Sequence, residues 1–340
     1  MSHALLTELL GYHAFNPAPT RRVIAAYHVP SADLGARRSR EALLERSARQ
    51  RRRTIIVGES GCGKTSLIEF VLAADVEGLA PIPVRLSPEP DEVVTSTQLV
   101  AQHIIQTLVD QQHNALAEAE RRVALDNATT QRRGPSTRAR GAVSGSWMGT
   151  GLSLEIERQV DAGVGLRRTT ASTLEQVQQL LSSIGNDGYV PVLVFDDTDR
   201  WFTREELGPA RVFFETIVPE LRELSCGLVV TAHKTYLADD LIERHIRDSF
   251  VDRIAIPPLP DVDALSAIVT SRLVAHIDDS IRIGDVLTDD ALRALWAGYR
   301  NSDASSLRDV FTTLHVALTE ACDDNLDQIT DGLILTAGRW

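Results

Sequence analysis

The chain has 340 residues, 43% of them hydrophobic and 24% charged, with a formal net charge of −12. That length suits two domains or one large core with an attachment, the hydrophobic fraction supports an ordinary globular core, and the acidic balance argues against wholesale charge-driven DNA binding. No apolar run reaches the roughly 18 residues of a membrane span, Met1 to Glu8 lacks the basic-then-apolar order of a signal peptide, and Cys62, Cys226 and Cys322 show no paired or metal-like spacing; all three point to a reducing cytoplasm.

In chain order, residues 1–32 carry Pro17, Pro19 and Pro30 and read as an irregular lead-in. Ala32 to Gln50 is helical in period, and Arg37 to Arg53 holds eight arginines. A solvated helix face is one reading of that segment; an adenine- or phosphate-facing segment and a nucleic-acid patch are the others. Thr54-Ile55-Ile56-Val57 reads as a short buried strand. It runs into Gly58-Glu59-Ser60-Gly61-Cys62-Gly63-Lys64-Thr65, which satisfies the phosphate-loop pattern G-x-x-x-x-G-K-[ST], and Ser66 to Leu72 follows with helical apolar spacing. The motif needs that context of strand, glycine-rich turn and helix start. Its glycines let backbone N–H groups face phosphate oxygens, and the helix end adds partial positive charge. Lys64 would reach the β- and γ-phosphates, and Thr65 would place its hydroxyl on Mg²⁺. The chain has only two lysines, Lys64 and Lys234; every other basic side chain that is permanently charged is arginine. Lysine stands where a compact ammonium is wanted rather than a planar fork. Cys62, inside the loop beside Lys64 and a helix N-terminus, is placed to have a lowered thiol pKa, with an inert loop residue as the alternative.

Beyond the loop, Pro81 to Leu86 reads as a second strand and Thr97 to Ala119 as a helix with Leu99, Ile104, Ile105, Leu108 and Val109 as its stripe. Arg132 to Gly141 is basic and turn-rich, and Ser146 to Leu166 alternates between glycines like an inserted β-hairpin. A helix resumes over Ser172–Ile184. Val190 to Phe195 is nearly continuous in apolarity, as a central parallel strand should be, and it ends in Asp196-Asp197-Thr198-Asp199-Arg200-Trp201. Helix Thr203–Leu224, strand Gly227–Thr231, helix Tyr236–Ile246 and strand Val251–Ile256 follow. After Pro257-Pro258-Leu259-Pro260 the pattern is helical over Val262–Ala275, Asp289–Ala297 and Ala304–Ala321. Strands alternating with helices predict a doubly wound α/β parallel sheet with a small C-terminal helical domain. The expected division is a lead-in over 1–32, a P-loop ATPase domain over 33–258 with an insertion at about 129–170, and a helical lid over 259–340.

The second half of the site follows the apolar strand. Asp196, at the strand's carboxyl end, is placed to hold Mg²⁺ directly or through water, and Asp197 to orient or activate the attacking water. In an open α/β sheet both would lie where ligands bind.

With these residues in view the chain resembles the AAA+ ATPases, closest to the branch of origin-recognition initiators and STAND signalling ATPases. The resemblance rests on the arginine-rich helix, GESGCGKTS, VLVFDDTDRW, GLVVTAHKT, HIRDSFVDRIAIPPLP and SSLRDVF, and spans roughly residues 30–325. It implies a polar sensor 1 at Thr231 or His233 and an arginine finger at Arg247, with Arg244 and Arg253 as rivals. It also implies a sensor 2 at Arg308, on the third helix of the lid. Asp197 replaces the usual catalytic Glu with a shorter side chain, which implies slow hydrolysis, and Asp199 is closer to STAND motifs. With the sequence ending at Trp340, a full winged-helix DNA-binding domain is not expected. The implied function is an ATP·Mg²⁺-dependent switch that self-associates or assembles with a protein partner, without membrane contact. The alternatives are a DNA-engaging AAA+ protein using the basic 121–140 segment, such as a loader or a transposition or defence regulator, and a non-hydrolysing nucleotide-bound scaffold.

Overall fold

A computed structural model describes residues 2–72, 77–86, 96–110, 170–196, 198, 207–277, 280–302 and 306–338. The expected basic loop, the β-hairpin, and Asp197, Asp199 and Arg200 lie outside the described residues. Five parallel strands, β1 (Arg53–Val57), β2 (Leu79–Val84), β3 (Val190–Phe195), β4 (Gly227–Ala232) and β5 (Asp252–Ala255), form one sheet in the order β2-β3-β4-β1-β5. The register aligns Val57 with Ala232 and Phe195 with Val230. The carboxyl ends of β1, β4 and β3 therefore lie side by side, and the segments that follow them share one rim.

Parallel strands are covered on both faces, which is why β1, β3 and β4 are apolar along their length. On one face Ile55, Leu193, Phe195 and Val230 pack in a core with helices α5 (Thr97–Asp110), α6 (Thr170–Asn186) and α7 (residues 208–221). On the other, Ile56, Val194, Val229 and Ile254 meet helices α3 (Arg40–Arg49) and α4 (Lys64–Val71). Strand β2 carries Pro81 and Pro83 without penalty because it is an edge strand. The bond from the Val190 N–H to the Gly78 carbonyl puts the even-numbered residues of β2 against β3, so both prolines face the open side. Helix α7 holds a π-turn at Phe213–Ile217. Pro219 has no N–H to return to the Glu215 carbonyl four residues back, and the helix accommodates the gap with a wider turn.

A second core is wholly helical: α9 (Val262–His276), α10 (Asp289–Asn301), α11 (Leu307–Asp323) and α12 (Asp331–Ala337) pack around Leu265, Leu295, Leu314 and Leu318. Asp261, Thr288 and Ser306 cap three of these helices by accepting from the backbone N–H groups of Ala264, Ala291 and Asp309. The irregular lead-in expected over residues 1–32 is instead helical over α1 (Ser2–Gly11) and α2 (Arg21–Ala26). Leu6, Leu9 and Phe15 are fully buried in the C-terminal helical core. The tertiary partner decides that outcome, since α1 is too short to stand alone as a helix in water. The other departures are boundaries: α3 begins at Arg40, and Tyr236 belongs to a 3₁₀ turn (Lys234–Ala238) before α8 (Asp240–Ser249). Helix α12 was not expected. Among the described residues no helix is long and apolar enough to cross a membrane.

Candidate active site

The phosphate loop leaves β1 at Val57 and turns into α4. Gly61 (φ 72) and Gly63 (φ 104) take the left-handed conformations that glycine permits, and Gly63 is the N-cap of α4. The Gly58 N–H donates to the Ala232 carbonyl at 3.1 Å, which ties the loop to the end of β4. Lys64 is buried and donates to the carbonyls of Gly58 (3.1 Å) and Glu59 (2.7 Å), so its ammonium is stored inside the loop. The Glu59 carboxylate bridges His233 Nε2, at 2.7 Å, and the ammonium of Lys234. Ser60 is exposed. Cys62, Thr65 and Ser66 are half-buried and line the cavity, with the Cys62 Sγ packed against Gly58.

From β3, Asp196 reaches the loop: the Thr65 hydroxyl donates to its Oδ2 at 2.9 Å. Two hard oxygen ligands meet at the mouth of the loop, the chemistry that suits Mg²⁺, which keeps waters and takes few protein ligands. Arg21, from α2, pairs with Glu69 at 2.9 Å and stands 3.8 Å from Asp196. Burial raises the Glu69 pKa and Arg21 pulls it back. Two residues past Asp196, the Thr198 hydroxyl donates to the Thr231 carbonyl and the Tyr236 hydroxyl donates to the Thr198 carbonyl at 2.6 Å. These bonds hold the chain after β3 against β4.

The sensor candidates differ in setting. Thr231 is fully buried in β4, and its hydroxyl has no hydrogen-bond partner among the described residues. His233 is engaged with Glu59 and with the Thr235 hydroxyl, at 2.8 Å. Arg308 lies at the start of α11 and lines the cavity. There the helical region touches the loop: the Leu307 N–H donates to the Gly61 carbonyl at 3.1 Å, and a Cβ on Gly61 would come within 2.5 Å of the Ser306 hydroxyl. Arg247 is 67% exposed on α8, 3.6 Å from Glu243, and does not line the cavity. Arg244 and Arg253 are exposed as well, Arg244 standing 3.9 Å from Asp248.

A cavity of about 600 Å³ runs from the loop between the N-terminal segment and the helical region. Lys64, Thr65, Asp196, Arg21 and Arg308 line it together with Pro17, Tyr27, Val29, Leu34, Ile268 and Phe311. The segment over it is pinned by Glu41, which accepts from the Ser31 N–H (2.8 Å), the Ser31 hydroxyl (2.6 Å), the Ser39 hydroxyl (2.9 Å) and His28 Nε2 (2.9 Å). Burial pushes the Glu41 pKa up, but bonds from Ser31, from its own backbone and from His28 outweigh it and bring it to about 2. His28 Nδ1 is 3.2 Å from the Ser66 hydroxyl, and its ring stacks on Phe70. Sequence reasoning missed Arg21, His28, Glu41 and Arg272. Apart from the arginine enrichment of residues 37–53, no local signal marks them, because the fold alone brings them to the loop.

The sequence profile of the AAA ATPase domain matches residues 38–216, more than half of the chain. No curated protein sequence matches. Among solved structures, the Aeropyrum pernix ORC1 protein in complex with DNA is similar over 94% of this chain and 70% of that one, at 14% identity and a TM-score of 0.52. Cdc6p from Pyrobaculum aerophilum is similar over 85% of this chain and 62% of that one (14% identity, TM-score 0.48). The Aeropyrum pernix ORC2 protein, in ADPNP and ADP complexes, gives 87% and 66% (14% identity, TM-score 0.49). The chain belongs to the AAA ATPase domain family, with an α/β fold like that of origin-recognition AAA+ proteins.

Proposed function

We propose that the protein binds ATP with Mg²⁺, hydrolyses it slowly, and uses the cycle as a switch in assembling with itself or with a protein partner. The observation that carries this reading is the cavity, whose lining combines a phosphate loop with apolar walls. It draws on the N-terminal segment, the sheet rim and the helical region, so a nucleotide filling it would bridge all three. We take the chain to comprise a P-loop domain over 33–258 and a helical lid over 259–340. The packing of α1 supports adding the N-terminus to the lid.

In this reading Lys64 leaves the Gly58 and Glu59 carbonyls for the β- and γ-phosphates. Thr65 and Asp196 would hold Mg²⁺, which when bound supplies charge neutralisation on the phosphates. Thr231 has a hydroxyl to offer, and Arg308 offers a cation from the lid. Asp197 is the proposed water-orienting carboxylate. Calorimetric titration of the full chain with ATP tests the site. Lys64→Ala should bind about a hundredfold more weakly, the loss expected when a buried charge partner is removed, while circular dichroism stays unchanged. Wild-type affinity in a folded Lys64→Ala protein would overturn the assignment. A single turnover that leaves ADP bound without further phosphate release would instead support a nucleotide-holding scaffold.

A DNA-engaging role is the second reading, since the ORC1 protein of similar fold is solved with DNA. ATPase activity stimulated by duplex DNA, with stimulation falling steeply as salt rises, would support it. Activity indifferent to DNA at low salt removes it.

A further inference from the structure

The nucleotide reading leaves one buried cation in the cavity without a role. Arg272, on α9, is 8% exposed and lines the cavity. Its guanidinium carbon lies 3.4 Å from the centroid of the Phe311 ring and 4.7 Å from that of Tyr27. One N–H donates to the Asn16 carbonyl at 2.7 Å. Among the described residues no carboxylate pairs with it. Burial draws its pKa down to about 10, opposed only by Tyr27, so it stays charged at neutral pH.

A buried charge is costly unless paired or fully hydrogen-bonded. Two ring faces offset part of that cost. A guanidinium nevertheless has five N–H donors and no acceptor, and Asn16 takes only one of the bonds it can make. The remaining donors call for acceptor atoms. Position decides which part of a nucleotide would supply them. Arg308 marks the phosphate end of α11, next to Gly61; Phe311, on which Arg272 lies, is a turn further along that helix. Tyr27 and Phe311 beside it are walls for a flat ring rather than for phosphate. The group that reaches there is the base, whose faces are apolar and whose edge carries ring nitrogens with lone pairs.

We infer that Arg272 is a base-reading residue that donates to a ring-nitrogen acceptor on the edge of the adenine. The inference rests on the nucleotide-site reading above and adds to it a determinant of which base is taken. Because the residue offers only donors, it recognises an acceptor and opposes a ligand that presents an N–H at the same place.

The test is a set of affinities for the full chain. The ligands are ADP, three ADP analogues in which N1, N3 or N7 is replaced by carbon, and tripolyphosphate, which has no base. Wild-type protein should bind one analogue at least about tenfold more weakly than ADP, the scale of a hydrogen bond from a charged donor. Arg272→Met keeps the apolar stem between the rings. It should bind ADP weakly by a similar factor, no longer distinguish that analogue, and bind tripolyphosphate as the wild type does. A residue that only props the lid against the N-terminal segment would weaken all ligands together and leave the analogue discrimination in place, which overturns the inference. A wild type blind to all three analogues overturns it without any variant, so the test survives a poorly folding Arg272→Met; Arg272→Lys then serves as the second substitution. If tripolyphosphate and ADP both fail to bind wild-type protein, the nucleotide site itself is wrong and the inference falls with it. Tripolyphosphate binding with a blind analogue series condemns the base-reading step alone.

Discussion

Lys64 and Thr231 are the two buried polar side chains on which the proposed site depends. Lys64 occupies carbonyls of its own loop, and the Thr231 hydroxyl is buried beside that loop's anchor with no partner among the described residues. An unsatisfied buried hydroxyl costs stability, so a native chain that retains one gains elsewhere from its presence. Thr231→Val keeps the branched shape and removes the polar atom. Denaturant unfolding should find this variant as stable as wild type or up to about 1 kcal/mol more stable. If the hydroxyl is the proposed sensor, phosphate release should fall by about tenfold or more, because a donor to charge developing on phosphate acts mainly in the transition state. Lower stability together with unchanged turnover would show that the hydroxyl serves the fold. Glu59 gathers both lysines of the chain: its carbonyl accepts from Lys64 and its carboxylate pairs with Lys234 and His233. The rarity of lysine was legible in the sequence; that the two meet at one loop residue was not, because they are brought together only when β1 and β4 pair.

At the scale of elements, the segment before α3 is held over the cavity by one carboxylate. Glu41 titrates at about 2, below its ordinary 4.5, so the unfolded chain takes up the proton first. Its contribution to stability is therefore present above about 4.5 and is lost as pH falls from there towards 2. Glu41→Gln should be less stable than wild type at pH 7, and the gap in denaturant midpoint should close on acidification through that window. A gap that does not change with pH would mean the side chain acts by shape alone. The same region shows where the sequence ceased to be legible. Strand β3 is found at Val190–Phe195, as expected, and α9 within one residue, because continuous apolarity and helical spacing are local properties. Helix α1 is short, and the helix it packs on, α11, lies some three hundred residues away, so the prolines after it are the stronger local signal. The phosphate loop and Asp196 were visible because a motif encodes them in contiguous residues. Arg21, His28, Glu41 and Arg272 have no fixed spacing in the sequence and line one cavity only in the folded chain.

At the scale of the whole molecule, the expected arginine finger does not line the chain's own cavity. Arg247 projects from α8 with 67% of its side chain exposed and, among the described residues, is paired only with Glu243, at 3.6 Å on the same helix. An exposed pair of this spacing contributes a few tenths of a kcal/mol at most, so Arg247 is not needed to hold α8, whose caps are Asp239 and the packing of Ile242 and Ile246. If it acts on phosphate, it acts on the nucleotide of a second subunit, where such an arginine is worth roughly 10³–10⁵ in rate. Arg247→Ala should then unfold at the wild-type denaturant concentration and bind ATP with wild-type affinity, yet hydrolyse it at a small fraction of the wild-type rate. Lys64→Ala, at ATP concentrations below its weakened affinity, should be inactive while keeping its own Arg247. Mixing the two inactive proteins should restore activity, because a chain with an intact loop then meets a neighbour with an intact arginine. The recovered rate should rise with total concentration as assemblies form, and light scattering should report those assemblies over the same range. A fully active Arg247→Ala removes this residue from the role and leaves Arg244 and Arg253, exposed on the same helix and on β5, as the next to substitute. An inactive Arg247→Ala that mixing does not rescue, at concentrations where scattering shows self-association, would rule out a site completed by a second copy. The missing cation would then have to come from a different protein, and stimulation of wild-type turnover by that partner would become the measurement to make.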